Sequence, residues 1–311
     1  MNRRRLAFGA LAGALLALAG TSLNAQLPEH LREYPLGPIK ASGGLIAPFF
    51  DGWIDNGDGT VTMVFGFMNR NLEEAVDIPL GLNNHIEPDR YDGVQPTHFP
   101  GYDQEDRRGA ATTTRAAIPG TTIPRGMLRE RGAFAVTVPK DGTEVWWTLT
   151  HAGHTYSVPG RAASVAYEMS SAARALGSLN PGIRFTEGGP EGSGREGIMG
   201  PRVTASVGTP VSLSALVQDR GEREGYDTET NLFPVTATWI RHQGPGEVQL
   251  TPVREEIDTA AGWSEATTQA MFTEPGEYVI RIRVDNFTAP DSRFGNQCCW
   301  SNAYVPVTVT H

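Results

Sequence analysis

Along the last third of the chain, apolar and polar positions alternate in short bursts. The stretches PRVTASVG, PVSLSALVQD, VTATWIRHQ, EVQLTP, ATTQAMF, GEYVIRIRVDN and AYVPVTVT each alternate or run apolar, with Gly, Pro, Asp or Asn in the gaps. A side-chain period of two marks a strand with one covered face. The region therefore predicts seven strands, the number expected of a two-sheet sandwich. In GEYVIRIRVDN, Ile280, Ile282 and Val284 fall on one face and Arg281, Arg283 and Asp285 on the other. That predicts a buried face and a wet one. Trp239 stands in the middle of its strand and is expected to fill the core.

The first half carries the same signal more sparsely. In GTVTMVFGFMN, Val61, Met63, Phe65 and Phe67 share a face. AFAVTVP and TEVWWTLTH predict two further strands, with Trp146 and Trp147 pointing to opposite sides. The run DNGDG between two apolar stretches reads as a hairpin turn. Residues 26–165 are expected to form one β-sandwich domain and residues 202–311 a second, so the fold class is all-β. Between them, residues 166–201 include LNPGIRFTEGGPEGSGREGIMGP, whose Gly and Pro density predicts a linker.

The chain opens MNRRRLAFGALAGALLALAGTSLNAQ. Arg3, Arg4 and Arg5 precede an apolar run from Leu6 to Gly20, and Leu23-Asn24-Ala25 ends on a small residue. This is the pattern of a secretory signal peptide over residues 1–25. The run is shorter than the ~20 residues that cross a bilayer, so no membrane span is expected. The predicted address is periplasmic or extracellular. Without residues 1–25 the net charge is −12, which argues against nucleic acid as a partner.

TATWIRHQGPGEVQLTP followed by ATTQAMFTEPGEYVIRIRVDN resembles the PKD-type, immunoglobulin-like sandwich domains. The positions that carry the likeness are Trp239, Gly244-Pro245-Gly246, Phe272, Pro275-Gly276, Tyr278, Val284 and Asp285. The chain departs from the pattern in two places: Asp285 follows Val284 directly, and FTAPDSRFGNQCCWSN replaces a short hairpin. The resemblance implies a spacer, adhesion or binding role, with a protein or a glycan as partner. The segment GLNNHIEPDRYDGVQPTHFPG resembles one found in exported bacterial proteins of unknown function, and it implies no activity.

Candidate chemistry is sparse. In HAGH, a two-residue loop at Ala152-Gly153 would oppose His151 and His154 across two strands, about 5 Å apart at Cβ. His98 or His85 could complete a zinc or copper site, since zinc takes three or four ligands. The alternative is an exposed polar turn. Arg107 and Arg108 lie in a locally basic stretch over residues 101–132, fit for an anionic glycan or a partner protein, or simply a solvated insertion. G-x-S-x-G, H-E-x-x-H, a Walker loop and a G-x-G-x-x-G after a strand are all missing. The leading reading is a non-catalytic binding or structural module that engages a protein or glycan outside the cytoplasm. The alternative is a metal-binding enzyme or metal carrier built on the first domain's histidines.

Cys298 and Cys299 are the whole cysteine complement. After export two thiols should pair. Neighbours in a strand point to opposite faces, so a Cys298–Cys299 bond needs a tight turn, which Gly295-Asn296 and Ser301-Asn302 allow. Such a ring would present Trp300 as part of a binding surface. The competing reading is one buried and one exposed thiol, the latter free to bond another chain. Intact-mass analysis of native protein, alkylated without reduction, separates the two readings. The ring predicts a monomer lighter than the dithiol by two hydrogens and refractory to alkylation. Two alkylated cysteines, or a reducible dimer, would refute it.

Overall fold

The apolar bursts become strands because β-branched and aromatic residues pack well on a pleated, half-covered surface. The computed structural model describes residues 41–311 except 72, 102–128, 164, 170–176, 222–234 and 287–298. In the first half, β1 (Ile46–Asp55), β2 (Thr60–Asn69), β3 (Val76–Asp77), β4 (Asn84–Glu87), β5 (His98–Phe99), β6 (Arg129–Pro139), β7 (Val145–His151) and β8 (His154–Gly160) follow in chain order. Two antiparallel sheets result, ordered β1-β2-β6 and β4-β7-β8, with β3 and β5 paired beside them. Val61, Met63, Phe65 and Phe67 do share the covered face. Phe134 stands between Phe65, at 5.2 Å, and Trp147, at 4.9 Å. Trp147 is fully buried, and its Nε1–H donates to Asn84 Oδ1 at 3.0 Å.

The second half adds β9 (Gly182–Arg184), β10 (Ile198–Met199), β11 (Val203–Ser206), β12 (Val211–Gln218), β13 (Val235–Gln243), β14 (Val248–Thr251), β15 (Arg254–Ile257), β16 (Ser264–Phe272), β17 (Gly276–Asp285) and β18 (Trp300–Thr310). One sheet runs β10-β18-β17-β13-β15, with β11 also on β18, and the facing sheet runs β14-β16-β12-β9. All seven expected strands form, and Trp239, 1% exposed, lies in their shared core. The protein is all-β, built of sandwiched sheets.

Two expectations change. The Gly/Pro stretch is not bare chain, because β9 pairs with β12 and β10 runs parallel to β18. Ser301 Oγ accepts from Gly194 N at 2.7 Å and donates to the Pro181 carbonyl at 2.6 Å. Gly197 adopts φ +74°, and a Cβ there would meet the Asn302 carbonyl oxygen at 2.3 Å. Gly197 thus allows this segment to approach β18 closely.

The wet face of β17 is also covered. Arg281, Arg283 and Asp285 are 2–3% exposed, because the outer side of β17 and β18 lies against the outer side of β2 and β6. Arg281 donates to the Ala133 carbonyl and to Glu130 Oε1, the latter at 2.6 Å. Arg283 reaches the Arg131 carbonyl at 3.1 Å and the same carboxylate at 3.4 Å. Asn302 donates to the Gly132 carbonyl at 3.0 Å and the Arg195 carbonyl at 2.8 Å. Trp300 is fully buried in this seam beside Ile54, Val64, Ala135 and Met169. The Arg195 and Arg283 guanidiniums lie over its ring, 4.5 and 4.7 Å from the centroid. Gly132, at φ +58°, makes room for it, since a Cβ there would stand 2.5 Å from Trp300 Cζ2.

Removing one member of a buried ionic set strands the others without compensation. Glu130→Ala should therefore destabilise the protein by about 3–5 kcal/mol in equilibrium urea unfolding. A loss below about 1 kcal/mol, the scale of a surface pair, would show that the seam is wetter than its burial implies.

Candidate functional site

Asn84 organises the part of the first half that meets the second. Fully buried, it donates to the carbonyls of Ile78 at 2.9 Å and Pro96 at 2.8 Å, while accepting the Trp147 indole hydrogen bond. Gln95, also fully buried, donates to Asp92 at 2.6 Å and accepts from Gly93 N at 2.9 Å. These bonds tie residues 92–97 into a strap. The strap then binds the end of β13. Thr97 N donates to the His242 carbonyl at 2.9 Å, and Gln243 Nε2 donates to the carbonyls of Gly93 at 2.8 Å and Gln95 at 2.7 Å.

A groove of about 370 Å³ opens where the strap, β6, β10 and the sheet of β13 and β18 meet. His242 and Tyr304 line it, Tyr91, Val94 and Met199 form its apolar rim, and Val94 and Met199 are 45% and 64% exposed. His242 is buried, and its Nε2–H donates to the Val94 carbonyl at 2.8 Å, 5.1 Å ring to ring from Tyr304. With the proton on Nε2, Nδ1 is left as an acceptor. Burial pushes the His242 pKa down to about 3, helped by the positive charge of Arg281; the Val94 hydrogen bond and Glu130 oppose the shift without reversing it. Burial pushes Tyr304 up to about 12, against the pull of Arg281. The imidazole is thus neutral and the phenol protonated at ordinary pH.

The sequence-predicted residues are dispersed. The HAGH turn forms as expected: His151 pairs directly with His154, Ala152 takes φ +51° and Gly153 φ +78°. His98 lies elsewhere, on β5. Its Nδ1 sits 2.8 Å from Asp77 Oδ1 and also contacts the Arg241 guanidinium. Arg241 in turn holds both Asp77 oxygens, at 2.7 and 2.9 Å. Burial raises the Asp77 pKa, but the His98 hydrogen bond and the His98 and Arg241 charges outweigh it and hold the carboxyl below its ordinary value. His85 pairs with Thr148 on the neighbouring strand. Among the described residues no three His, Cys, Asp or Glu side chains gather as a metal set. Trp300 is a correction: expected at a presented turn, it is sealed in the seam by Gly132 and the two guanidiniums. Cys299 is fully buried, its sulfur 3.4 Å from the Ser178 carbonyl oxygen. Arg107, Arg108 and Cys298 lie outside the described residues.

The groove residues went unmarked in the sequence. One signal was available: Arg241, His242 and Gln243 are three consecutive polar residues closing a strand that is otherwise buried on both sides. Such a run calls for another element to satisfy it.

No protein-family model and no curated protein sequence matches the chain. Among solved structures, domains 4 and 5 of the S-layer protein SbsC align over 56% of this chain and 69% of theirs, at 14% identity and a TM-score of 0.24. The PapD-like domain 7 of human CEP192 aligns over 47% of this chain and 94% of its own, at 10% identity and a TM-score of 0.26. The D00-D0 domain of intimin aligns over 85% of this chain and all of its own, at 10% identity and a TM-score of 0.25. Among the described residues no helix is long and apolar enough to cross a membrane.

His242 supplies a pH test. Its folded pKa of about 3 lies below the ordinary value of 6.5, so the unfolded chain binds more protons between those limits. Its contribution to stability is complete above the upper limit and is lost as pH falls toward the lower one. His242→Gln keeps a donor for the Val94 carbonyl and removes the titration. Between about pH 7 and pH 5, where most carboxylates stay ionised, the wild-type melting temperature should fall further than the variant's. Equal falls would show that His242 is not held neutral.

Proposed function

We propose that this chain is an exported, non-catalytic binding module that engages a protein or a glycan outside the cytoplasm. One observation carries the reading. The seam groove is walled by strands of both sandwiches, and two of its lining groups, His242 and Tyr304, are buried and tied into the fold rather than poised for proton transfer. General acid–base work favours a pKa near the operating pH, whereas His242 and Tyr304 are held at about 3 and about 12. What the groove offers a partner is an exposed apolar rim, Val94 and Met199, over a floor that includes His242, Gln243 and Tyr304. The leader read in residues 1–25 supports export. The quoted motif around Trp239 and Tyr278 supports a PKD-like second sandwich. The absence of any other cysteine supports a vicinal Cys298–Cys299 ring.

The test is site-specific photocrosslinking in the producing cells, with a benzophenone amino acid at Met199 or, as a control on another surface, at Val253. The reading expects a discrete adduct from Met199 that Tyr91→Ala weakens, and none from Val253. Equal adducts at both positions, or none at Met199, would overturn the groove as the binding surface.

A further inference from the structure

Five described histidines precede the chain's terminal one; His85 stands on β4 opposite Thr148, and the other four divide by what occupies their rings. His242 donates to the Val94 carbonyl, and His98 lies against Asp77 and Arg241. Both are part of the seam. His151 and His154 are different. They are the last pair of the β7–β8 ladder, directly opposed beyond Thr150 and Thr155, on the face that holds Leu149 and Tyr156. His151 is half-buried and His154 exposed. The turn that sets them opposite is a two-residue loop with both φ angles positive, the type I′ form that matches strand twist. Ala152 is the one non-glycine residue with positive φ among the described residues, a conformation that L side chains adopt at some cost. The sequence tolerates that cost at the point where the loop length fixes the register of two imidazoles. His154 is further steadied by Tyr156, ring to ring at 6.1 Å and 29°.

Directly opposed residues place their Cβ atoms about 5 Å apart on one face. Two imidazole nitrogens on one metal ion, each about 2.0–2.1 Å from it, stand about 3 Å from one another. Rings leaning over the turn close that difference without moving the backbone. We propose that His151 and His154 form a bidentate site for a borderline transition-metal ion, with copper(II) bound more tightly than zinc(II). The preference follows from two neutral nitrogen donors and the general affinity order of divalent first-row ions. No third His, Cys, Asp or Glu joins them among the described residues. The remaining coordination positions are therefore taken by water or by a donor from a bound molecule, which makes the site open. It stands apart from the seam groove and does not depend on the binding reading.

Titration of the full-length mature protein with copper(II) and with zinc(II), followed by calorimetry and by copper electron paramagnetic resonance, tests it. The expected result is one copper with nitrogen hyperfine structure. Its affinity should fall about tenfold or more in His151→Ala and in His154→Ala, with His98→Ala unchanged. Inserting one glycine between Ala152 and Gly153 keeps both imidazoles and destroys their opposition, so it should weaken copper binding as much as either alanine variant. Circular dichroism confirms that each variant folds. Copper binding that survives the double alanine variant, or survives the insertion, overturns the site, as does the absence of binding to the wild type.

Discussion

The contact between Glu130 and the two arginines of β17 is the constraint on which the rest of the architecture depends. A guanidinium taken out of water is tolerated only where carboxylates and carbonyls meet it in good geometry. Arg281 and Arg283 find one carboxylate and two backbone carbonyls on β6, all offered by residues 130–133. Those bonds are directional. A seam of leucines would tolerate sliding, because apolar contact has no preferred register, whereas this one closes at a single offset. Trp300 strengthens the restriction, since its ring needs the space above Gly132 and two cations over its faces. The two sandwiches are thereby held in one relation, and the groove between them inherits fixed walls.

Much of the fold was legible because side-chain alternation is a local property. Ile280, Ile282 and Val284 announced a buried face, and they occupy one. The opposite face was misread for a physical reason. Alternation says that a strand has two unlike sides, but not what covers the polar one. Arg281's partner lies 151 residues away, and no window of sequence holds both. The same limit explains the misjudged Gly/Pro stretch. Glycine density usually means freedom, but here it permits close approach to β18. The difference lies in the neighbour, Asn302, rather than in the segment itself.

The candidate sites divide along the same line. The histidine turn could be read from four residues, because loop length alone decides which residues oppose one another. The groove could not, because its floor and rim come from the strap before β5, from β6, from β10 and from β18. Trp300 failed in the opposite sense. Read from its flanking Gly, Asn and Cys residues, it belonged to an exposed turn. Its burial depends on a glycine far away in the chain, which local composition does not reveal.

These two places make different demands on the fold. The groove is a product of tertiary locking: its histidine is neutral because burial, and after it the charge of Arg281, disfavours the imidazolium, so any loosening of the seam would return that imidazole to water and to its ordinary titration. The hairpin tip depends on almost none of this. Its geometry is set by a ladder of hydrogen bonds and a two-residue loop, with His151 half-buried and His154 exposed. A protein that only needed to exist as a folded spacer would need neither a tied strap beneath an apolar rim nor a strained alanine between opposed histidines. The rigid groove suits an occupant whose shape is already defined, because fixed walls lose little freedom on binding. The open turn suits a small ligand that brings its own coordination preferences.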